Sequence, residues 1–128
     1  TESTKLPRDY DLTYNTRRVG ITLVNCRQVV IQGFIVQGFQ LDGINAHDNV
    51  FGATLLGITA RGNGRSGVSV GGASRVTIEA CLVGNNGVAQ LRTEGFSETR
   101  LKNNDLIDDD PDAPAIVQES GKIEQLDE

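Results

Sequence analysis

Apolar residues recur along the chain in short strand-like pieces that repeat every 23 or 24 residues. Within most pieces the outer two residues are apolar or small and the middle one is polar. This alternation is typical of a β-strand with one buried face. One column of equivalent aliphatic residues, with spacings of 24, 23 and 23, shows the period: Ile31, Leu55, Ile78 and Leu101. Such a period indicates a solenoid, in which each repeat buries its apolar face against its neighbours.

A second column opens each repeat with a small residue followed by an aliphatic one. Its members are Gly20-Ile21, Gly43-Ile44 and Gly67-Val68, and steps of 23 and then 24 extend it to Gln90-Leu91 and Pro114-Ala115. Each repeat holds three strand-like pieces, and no stretch has the longer 3.6-residue period of a helical solenoid. The sequence therefore predicts an all-β fold, a parallel β-helix solenoid of four to five coils with three short strands per coil.

Glycine and asparagine mark the predicted corners, because they best tolerate the positive φ of a sharp bend. Two corner columns are Gly33, Gly57, Ala80 and Asn103, and Gly38, Gly62, Asn85 and Asp108. Residues 1–18 are polar and are predicted to form an irregular or partial-coil lead-in, whereas residues 19–126 are predicted to form the β-helix. No amphipathic helix covers its ends, so either the polar lead-in and the acidic tail cap them or the chain is a segment of a longer solenoid. We favour the segment, and we expect end-to-end or edge self-association.

The repeat also places the two cysteines. Cys26 falls at a turn and Cys81 in a strand two coils later, so about 10 Å separates them. A disulfide needs α-carbons within about 7 Å. Both thiols are therefore predicted to be free, with Cys81 a small buried hydrophobe.

Charge and hydropathy narrow the partners. Twelve Lys and Arg against 17 Asp and Glu give a net charge of −5, which argues against a nucleic-acid backbone as partner. No apolar run approaches the roughly 18 residues of a membrane span. We therefore expect neither nucleic acid nor membrane as partner.

Residues 58–86, ITARGNGRSGVSVGGASRVTIEACLVGNN, look like the right-handed parallel β-helix repeats of the pectin-lyase-like superfamily. The resemblance extends over about residues 19–107. It implies a right-handed solenoid and a carbohydrate-associated protein. It does not select one activity, because the superfamily includes lyases, hydrolases, epimerases and non-catalytic modules.

Residues 43–48, Gly-Ile-Asn-Ala-His-Asp, are similar to the Asp-Pro-His-Asp/Glu segment of mannuronan C5-epimerases. The resemblance implies that His47 and Asp48 are catalytic residues acting on the C5 proton of a uronic acid. A histidine is a suitable acid or base near neutral pH. Asn45 stands where the family has its first Asp, and Ala46 where it has Pro.

The outward residues of the first strand column form a predicted polar ladder. Thr22, Asn45, Ser69 and Arg92 stack in one line, and Val24, His47, Gly71 and Glu94 stack beside it. Rungs about 4.8 Å apart suit an extended sugar chain, and an arginine can bind a uronate carboxylate bidentately. The candidate substrate-binding residues are Asn45, Ser69, Arg92 and Glu94. The remaining arginines of the coils, Arg61, Arg65, Arg75 and Arg100, are placed on different columns with no coherent basic stripe.

An acidic run near the C-terminal end supplies oxygen atoms of the kind that Ca²⁺ prefers. It comprises Asp108, Asp109, Asp110 and Asp112. The spacing matches no known calcium loop, so we expect a solvated turn and no cofactor.

The leading interpretation is a β-helix module of an extracellular or cell-surface, carbohydrate-associated protein that recognises or displays acidic polysaccharide, with uronate-containing polymers as the candidates. One alternative is a fragment of a polysaccharide C5-epimerase or lyase with His47 as acid or base. A second alternative is a purely structural spacer or adhesin-like stalk.

Overall fold

The computed structural model describes residues 18–126, which form thirteen β-strands and no helix. The predicted lead-in over residues 1–18 lies outside the described residues apart from Arg18. The strands are β1 Ile21–Arg27, β2 Val30–Gln32, β3 Ile35–Gln37, β4 Asp42–Leu56, β5 Thr59–Arg61, β6 Ser66–Val70, β7 Arg75–Glu79, β8 Leu82–Gly84, β9 Ala89–Thr93, β10 Glu98–Lys102, β11 Asp105–Leu106, β12 Ile116–Gln118 and β13 Lys122–Gln125.

Strands stack in three columns, and each strand pairs in parallel with its equivalents in the neighbouring coils. The first column contains β1, the start of β4, β6, β9 and β12. The second contains the end of β1, β2, the end of β4, β7, β10 and β13. The third contains β3, β5, β8 and β11. This arrangement confirms the predicted parallel β-helix with three strands per coil.

The interior is a stack of thin aliphatic layers, one layer per coil. Six large side chains within it are fully buried: Ile44, Leu55, Ile58, Ile78, Leu91 and Leu101. Three of them belong to the predicted aliphatic column, whereas Ile31 is half-buried because it lies in the first described coil. Because no residue of this core is aromatic, its cohesion comes from layer-on-layer contact of aliphatic side chains.

The predicted corners adopt left-handed backbone conformations. Gly33, Gly57, Ala80 and Asn103 all have positive φ, between 56° and 76°. In the other column Gly38, Gly62 and Asn85 do so as well, whereas Asp108 does not. Ala80 takes this conformation at a cost of about 1 kcal/mol, because its β-carbon crowds the following carbonyl. The bend after the second column therefore requires this geometry even where the sequence lacks Gly or Asn.

A directed chain of amide hydrogen bonds runs through the interior beside the third column. Asn63 Nδ2 donates to Asn86 Oδ1 at 3.0 Å, and Asn86 Nδ2 donates to Gln90 Oε1 at 2.8 Å. Gln90 Nε2 then donates to the carbonyl of Ala113 at 3.1 Å. All three side chains are buried, and their mutual bonding offsets the cost of removing them from water.

The repeat length changes at the last coil. Leu91 pairs with Ile116, a spacing of 25, and not with Ala115 as the regular step predicted. Ile116 follows Leu106 by ten positions, whereas Leu91 follows the equivalent Val83 by eight. The acidic turn is thus two residues longer than its equivalents, and this shifts the register.

Both cysteines are free, as predicted, and Cys81 is buried. Cys81 lies directly before β8, and Cys26 lies in β1 opposite Val50, so its predicted position at a turn is wrong. Within residues 18–126 no helix is long and apolar enough to cross a membrane.

Candidate functional site

His47 is the extra residue of a β-bulge in β4. Leu23 pairs with Ala46 and the next residue, Val24, pairs with Asp48, so His47 has no partner in β1. The predicted stacking of Val24 on His47 is therefore wrong. The imidazole is exposed and has no hydrogen-bond partner among residues 18–126, whereas Asp48 Oδ1 accepts a bond of 3.0 Å from the Ala73 N–H. Bulges often re-aim a side chain, and this bulge presents the single histidine to solvent.

The first line of the predicted ladder has the expected register but is closed by its own side chains. Thr22, Asn45, Ser69 and Arg92 lie opposite one another in successive coils. Ser69 is only 1% exposed, and Arg92 Nη1 lies 3.4 Å from its hydroxyl.

Arg92 is also held by two carboxylates, so its charge is already matched. Its Nη2 lies 3.2 Å from Glu94 Oε1 and 3.3 Å from Glu119 Oε1. The side chain is 12% exposed. We call Ser69, Arg92, Glu94 and Glu119 the closed ladder. Asn45 remains half-buried on the same line.

An ion pair between a buried carboxylate and a partly exposed guanidinium fixes the start of β4. The Asp42 carboxylate is fully buried and accepts bonds from Arg65 Nε at 3.0 Å and Arg65 Nη2 at 2.6 Å. Ser66 Oγ donates to Asp42 Oδ1 at 2.5 Å. The hydrogen bond to Asp42 raises the pKa of Arg65, against the opposing effect of burial. The hydrogen bonds of Asp42 are made within this cluster, and the cluster therefore stabilises the fold.

The acidic turn brings no metal site together. Among residues 18–126 no three His, Cys, Asp or Glu side chains converge on a position for a metal ion. Asp108, Asp109, Asp110 and Asp112 are exposed, and Asp110 Oδ1 accepts a bond of 2.9 Å from the Asp112 N–H. The Asp110 carboxylate thus stabilises its own turn.

The outward surface of the second column holds an open groove of about 480 Å³. Arg27, Phe51 and Arg75 pair with one another in three successive coils. Each guanidinium carbon lies 6.0 Å from the centre of the Phe51 ring, one on either side along the stack. This separation is at the limit of a cation–π contact. We call the surface lined by Arg27, Phe51, Arg75, Thr77, Glu98 and Arg100 the arginine groove.

The arginines of this groove are weakly paired. Arg75 is 65% exposed, and its Nε lies 3.9 Å from Glu98 Oε1. Arg100 is 60% exposed and lies 3.5 Å from Glu124. Ion pairs this exposed contribute between zero and about 1 kcal/mol. The guanidinium groups of Arg75 and Arg100 are therefore free to exchange their present partners for an anionic ligand.

A second bulge lies at the groove. Phe51 pairs with Arg75, but Ala53 pairs with Val76, so Gly52 is an extra residue relative to β7. Gly52 and the equivalent Gln28 both have positive φ, 80° and 52°, and both line the groove. The first two described coils are therefore one residue longer here than the third, and the groove lies at this change in length.

The sequence prediction missed this site because it compared the arginines only by columns of equivalent residues. Arg75 pairs with Glu98 and Arg100 with Thr77, so the two arginines do occupy different residue columns, as predicted. Both nevertheless lie in the second strand column, in β7 and β10, two positions apart; Arg61, in β5, lies elsewhere. The signal was present, since Arg27, Phe51 and Arg75 are each 24 residues apart. It was hidden because the spacing between equivalent residues falls from 24 at Phe51 and Arg75 to 23 at Ala53 and Val76.

The family model for the right-handed β-helix region matches residues 11–125 of the chain. No curated protein and no solved structure matches it. The resemblance of residues 43–48 to mannuronan C5-epimerases stays a prediction, as do the roles of His47, Asp48, Asn45, Ser69, Arg92 and Glu94. The match covers most of the chain and agrees with the stacked parallel strands and with the pectin-lyase-like superfamily. The chain therefore belongs to the right-handed β-helix family.

Proposed function

We propose that this chain is a non-catalytic module of an extracellular or cell-surface protein that binds acidic polysaccharide in the arginine groove. The single observation that carries the proposal is the stack of Arg27, Phe51 and Arg75 on three successive coils. Guanidinium groups bind carboxylates through paired hydrogen bonds, and an aromatic ring packs against the apolar face of a sugar.

Charge distribution supports the same proposal. The whole chain carries a net charge of −5, yet the groove contains three arginines and one glutamate. A local positive surface on an acidic protein attracts a polyanion to one face only. The groove is also built on paired strands, so binding costs little ordering of the backbone.

The test is isothermal titration calorimetry with polygalacturonate and with alginate, using the wild type and the double variant Arg75→Ala/Arg100→Ala. We expect the double variant to bind at least tenfold more weakly, because two charge-assisted contacts are lost. Arg61→Ala is the matched control, since Arg61 is an exposed arginine of the third column that bonds Gln37. Equal weakening by the control, or no effect of the double variant, would contradict the proposal.

A second candidate is a polysaccharide C5-epimerase or lyase fragment that uses His47 as acid or base. The observation that favours it is the bulge that exposes His47 next to Asp48. A proton NMR time course with polymannuronate, comparing wild type with His47→Ala, tests it. New anomeric or unsaturated-uronate signals that the variant lacks would establish an enzyme. No product and no binding in either experiment would leave the spacer or stalk function.

Self-association, end to end or along the strand edges, also stays a prediction. Light scattering coupled to size-exclusion chromatography over a range of concentrations tests it.

A further inference from the structure

We infer that the arginine groove selects a polysaccharide in which acidic and neutral sugars alternate, over a polymer with an acid group on every sugar. The inference rests on the proposed function and names its substrate class. It is argued from the order of side chains along one row of paired residues: Arg27, Phe51, Arg75 and Glu98.

The spacing of the two cations sets the repeat. Neighbouring strands are about 4.8 Å apart, so Arg27 and Arg75 lie two rungs, or about 10 Å, apart. One extended pyranose unit spans about one rung, and a disaccharide about two. A chain along this row therefore presents an acid group to both arginines when every second sugar carries a carboxylate.

The middle rung disfavours a carboxylate. Phe51 stands between the two arginines and offers no hydrogen-bond donor. A carboxylate placed beside this apolar ring would lose hydration without gaining a hydrogen bond, whereas the C–H groups of a neutral sugar pack against it. A polymer with an acid group on every sugar would have to place one over Phe51.

The fourth rung adds a repulsive element. Glu98 pairs with Arg75 in the strand register, and its carboxylate is 42% exposed. An acid group placed one sugar beyond Arg75 would meet this like charge. The row therefore reads cation, aromatic ring, cation, anion. Specificity of this kind comes from repulsion of the wrong ligand as well as attraction of the right one.

The test compares two sets of oligosaccharides of equal length by calorimetry. One set is unsulfated and alternates glucuronate with N-acetylhexosamine, and the other is oligogalacturonate. We expect the alternating oligosaccharide to bind about tenfold more tightly, although it carries half the charge. Simple attraction by a positive surface would give the reverse order.

Two variants make the result specific to the row. Phe51→Arg places a cation on the middle rung and is expected to reverse the preference. Glu98→Gln removes the repulsion at the fourth rung and is expected to strengthen oligogalacturonate binding more than binding of the alternating chain. Glu79→Gln is the matched control, since Glu79 belongs to the same sheet and does not line the groove.

The outcomes distinguish the preference for alternating sugars from the binding of acidic polysaccharide in general. Equal binding of both oligosaccharides, or tighter binding of oligogalacturonate by the wild type, would overturn the alternation and leave the proposed function intact. Absence of binding to either set would overturn both. Circular dichroism verifies that each variant is folded, and Glu98→Gln keeps the inference testable if Phe51→Arg does not fold.

Discussion

The closed ladder and the arginine groove lie on outward faces of the same solenoid, and both contain arginine and glutamate, yet their arginines differ in exposure. Arg92 is 12% exposed and Arg75 is 65% exposed. Arg92 reaches Glu94, directly after the end of its own strand, and Glu119 in the next coil, and it covers Ser69. Among residues 18–126, Arg75 forms one ion pair, with Glu98 at 3.9 Å.

The difference teaches that residue types on a β-helix face do not by themselves identify a binding surface. Whether an outward arginine is free depends on the rung above, the rung below and the position two residues along its strand. Around Arg92, the position two residues along the chain and its equivalent in the next coil supply carboxylates, Glu94 and Glu119. Around Arg75, Phe51 and Thr77 carry no charge, and the carboxylate of Glu98 on the next rung lies 3.9 Å away. The arginine of the closed ladder is bound within the fold, whereas Arg75 and Arg100 of the groove keep exposed guanidinium groups.

The largest loss of stability is expected for a variant at the start of β4, in the first column. Asp42→Asn removes the buried carboxylate and leaves Arg65 and Ser66 with mismatched partners. We expect a loss of about 2–3 kcal/mol in the free energy of unfolding, because a buried amide N–H₂ would face donor groups and Arg65, which is 31% exposed, would lose its counter-charge. Chemical denaturation measures it.

Glu98→Gln in the second column is the matched change, and it should alter the free energy of unfolding by less than about 0.5 kcal/mol. Similar losses for both variants would show that the two columns do not differ in their dependence on ion pairs.

A smaller loss of stability is expected for a variant of the closed ladder itself. Arg92→Ala uncovers Ser69 and leaves Glu94 and Glu119 without their shared cation. We expect a loss of about 1–2 kcal/mol, whereas Arg100→Ala in the groove should lie within about 0.5 kcal/mol of the wild type. Urea titration of the two variants side by side compares them, and an Arg100→Ala loss as large as that of Arg92→Ala would refute the distinction.

Two buried threonines, one in the first column and one in the second, differ in the hydrogen bonding of their hydroxyl groups. Thr93, in the first column, donates its hydroxyl to the Ser120 carbonyl at 2.9 Å. Thr99, in the second column, has a buried hydroxyl with no hydrogen-bond partner among the described residues.

Thr99→Val should therefore stabilise the protein by about 1 kcal/mol, because it removes an unsatisfied polar atom. Thr93→Val should destabilise it by about the same amount. Thermal unfolding of both variants gives the two signs, and a destabilised Thr99→Val variant would show that its hydroxyl finds a partner.

The smallest expected effect is a difference in chemical reactivity between the two thiols. Burial raises the pKa of the Cys81 thiol above its ordinary value of 9.0, and Cys26 is partly exposed. Since the thiolate is the reactive form, iodoacetamide should modify Cys26 in the folded protein and Cys81 only after denaturation. Mass spectrometry of digested samples distinguishes the two sites.

The same shift has a pH consequence. The folded state holds the Cys81 proton more firmly than the unfolded state, so this contribution to stability is complete below pH 9 and is lost as the pH rises through the folded pKa. Cys81→Ala should therefore lose less of its free energy of unfolding between pH 9 and pH 10.5 than the wild type does.

Much of the fold could be predicted because it depends on periodicity. Regular spacing of small and aliphatic residues defines the coils, and Gly33, Gly57 and Asn103 mark bends that require positive φ. Local irregularities could not be predicted. Whether a coil of 24 residues places its extra residue at His47, at Gly52 or in a turn depends on hydrogen bonding between coils, which spacing alone does not report.

The site was less predictable than the fold for the same reason. The line Asn45, Ser69 and Arg92 had the expected register, but the burial of Ser69 depends on the conformation of Arg92 and on Glu119 in the following coil. The groove required three residues 24 apart to be aligned across a bulge. Rotamers and bulges are tertiary features, and both decided which face is open.

The amide chain from Asn63 through Asn86 to Gln90 has a consequence for hydrogen exchange. Its bonds point in one direction along the axis and end on the Ala113 carbonyl, so each bond polarises the next. It links the coils that contain β5, β8 and β9. Backbone amides there should open only in large cooperative events, whereas those of the first described coil should exchange earlier. Exchange rates would thus divide the solenoid into a slowly opening middle and a faster end.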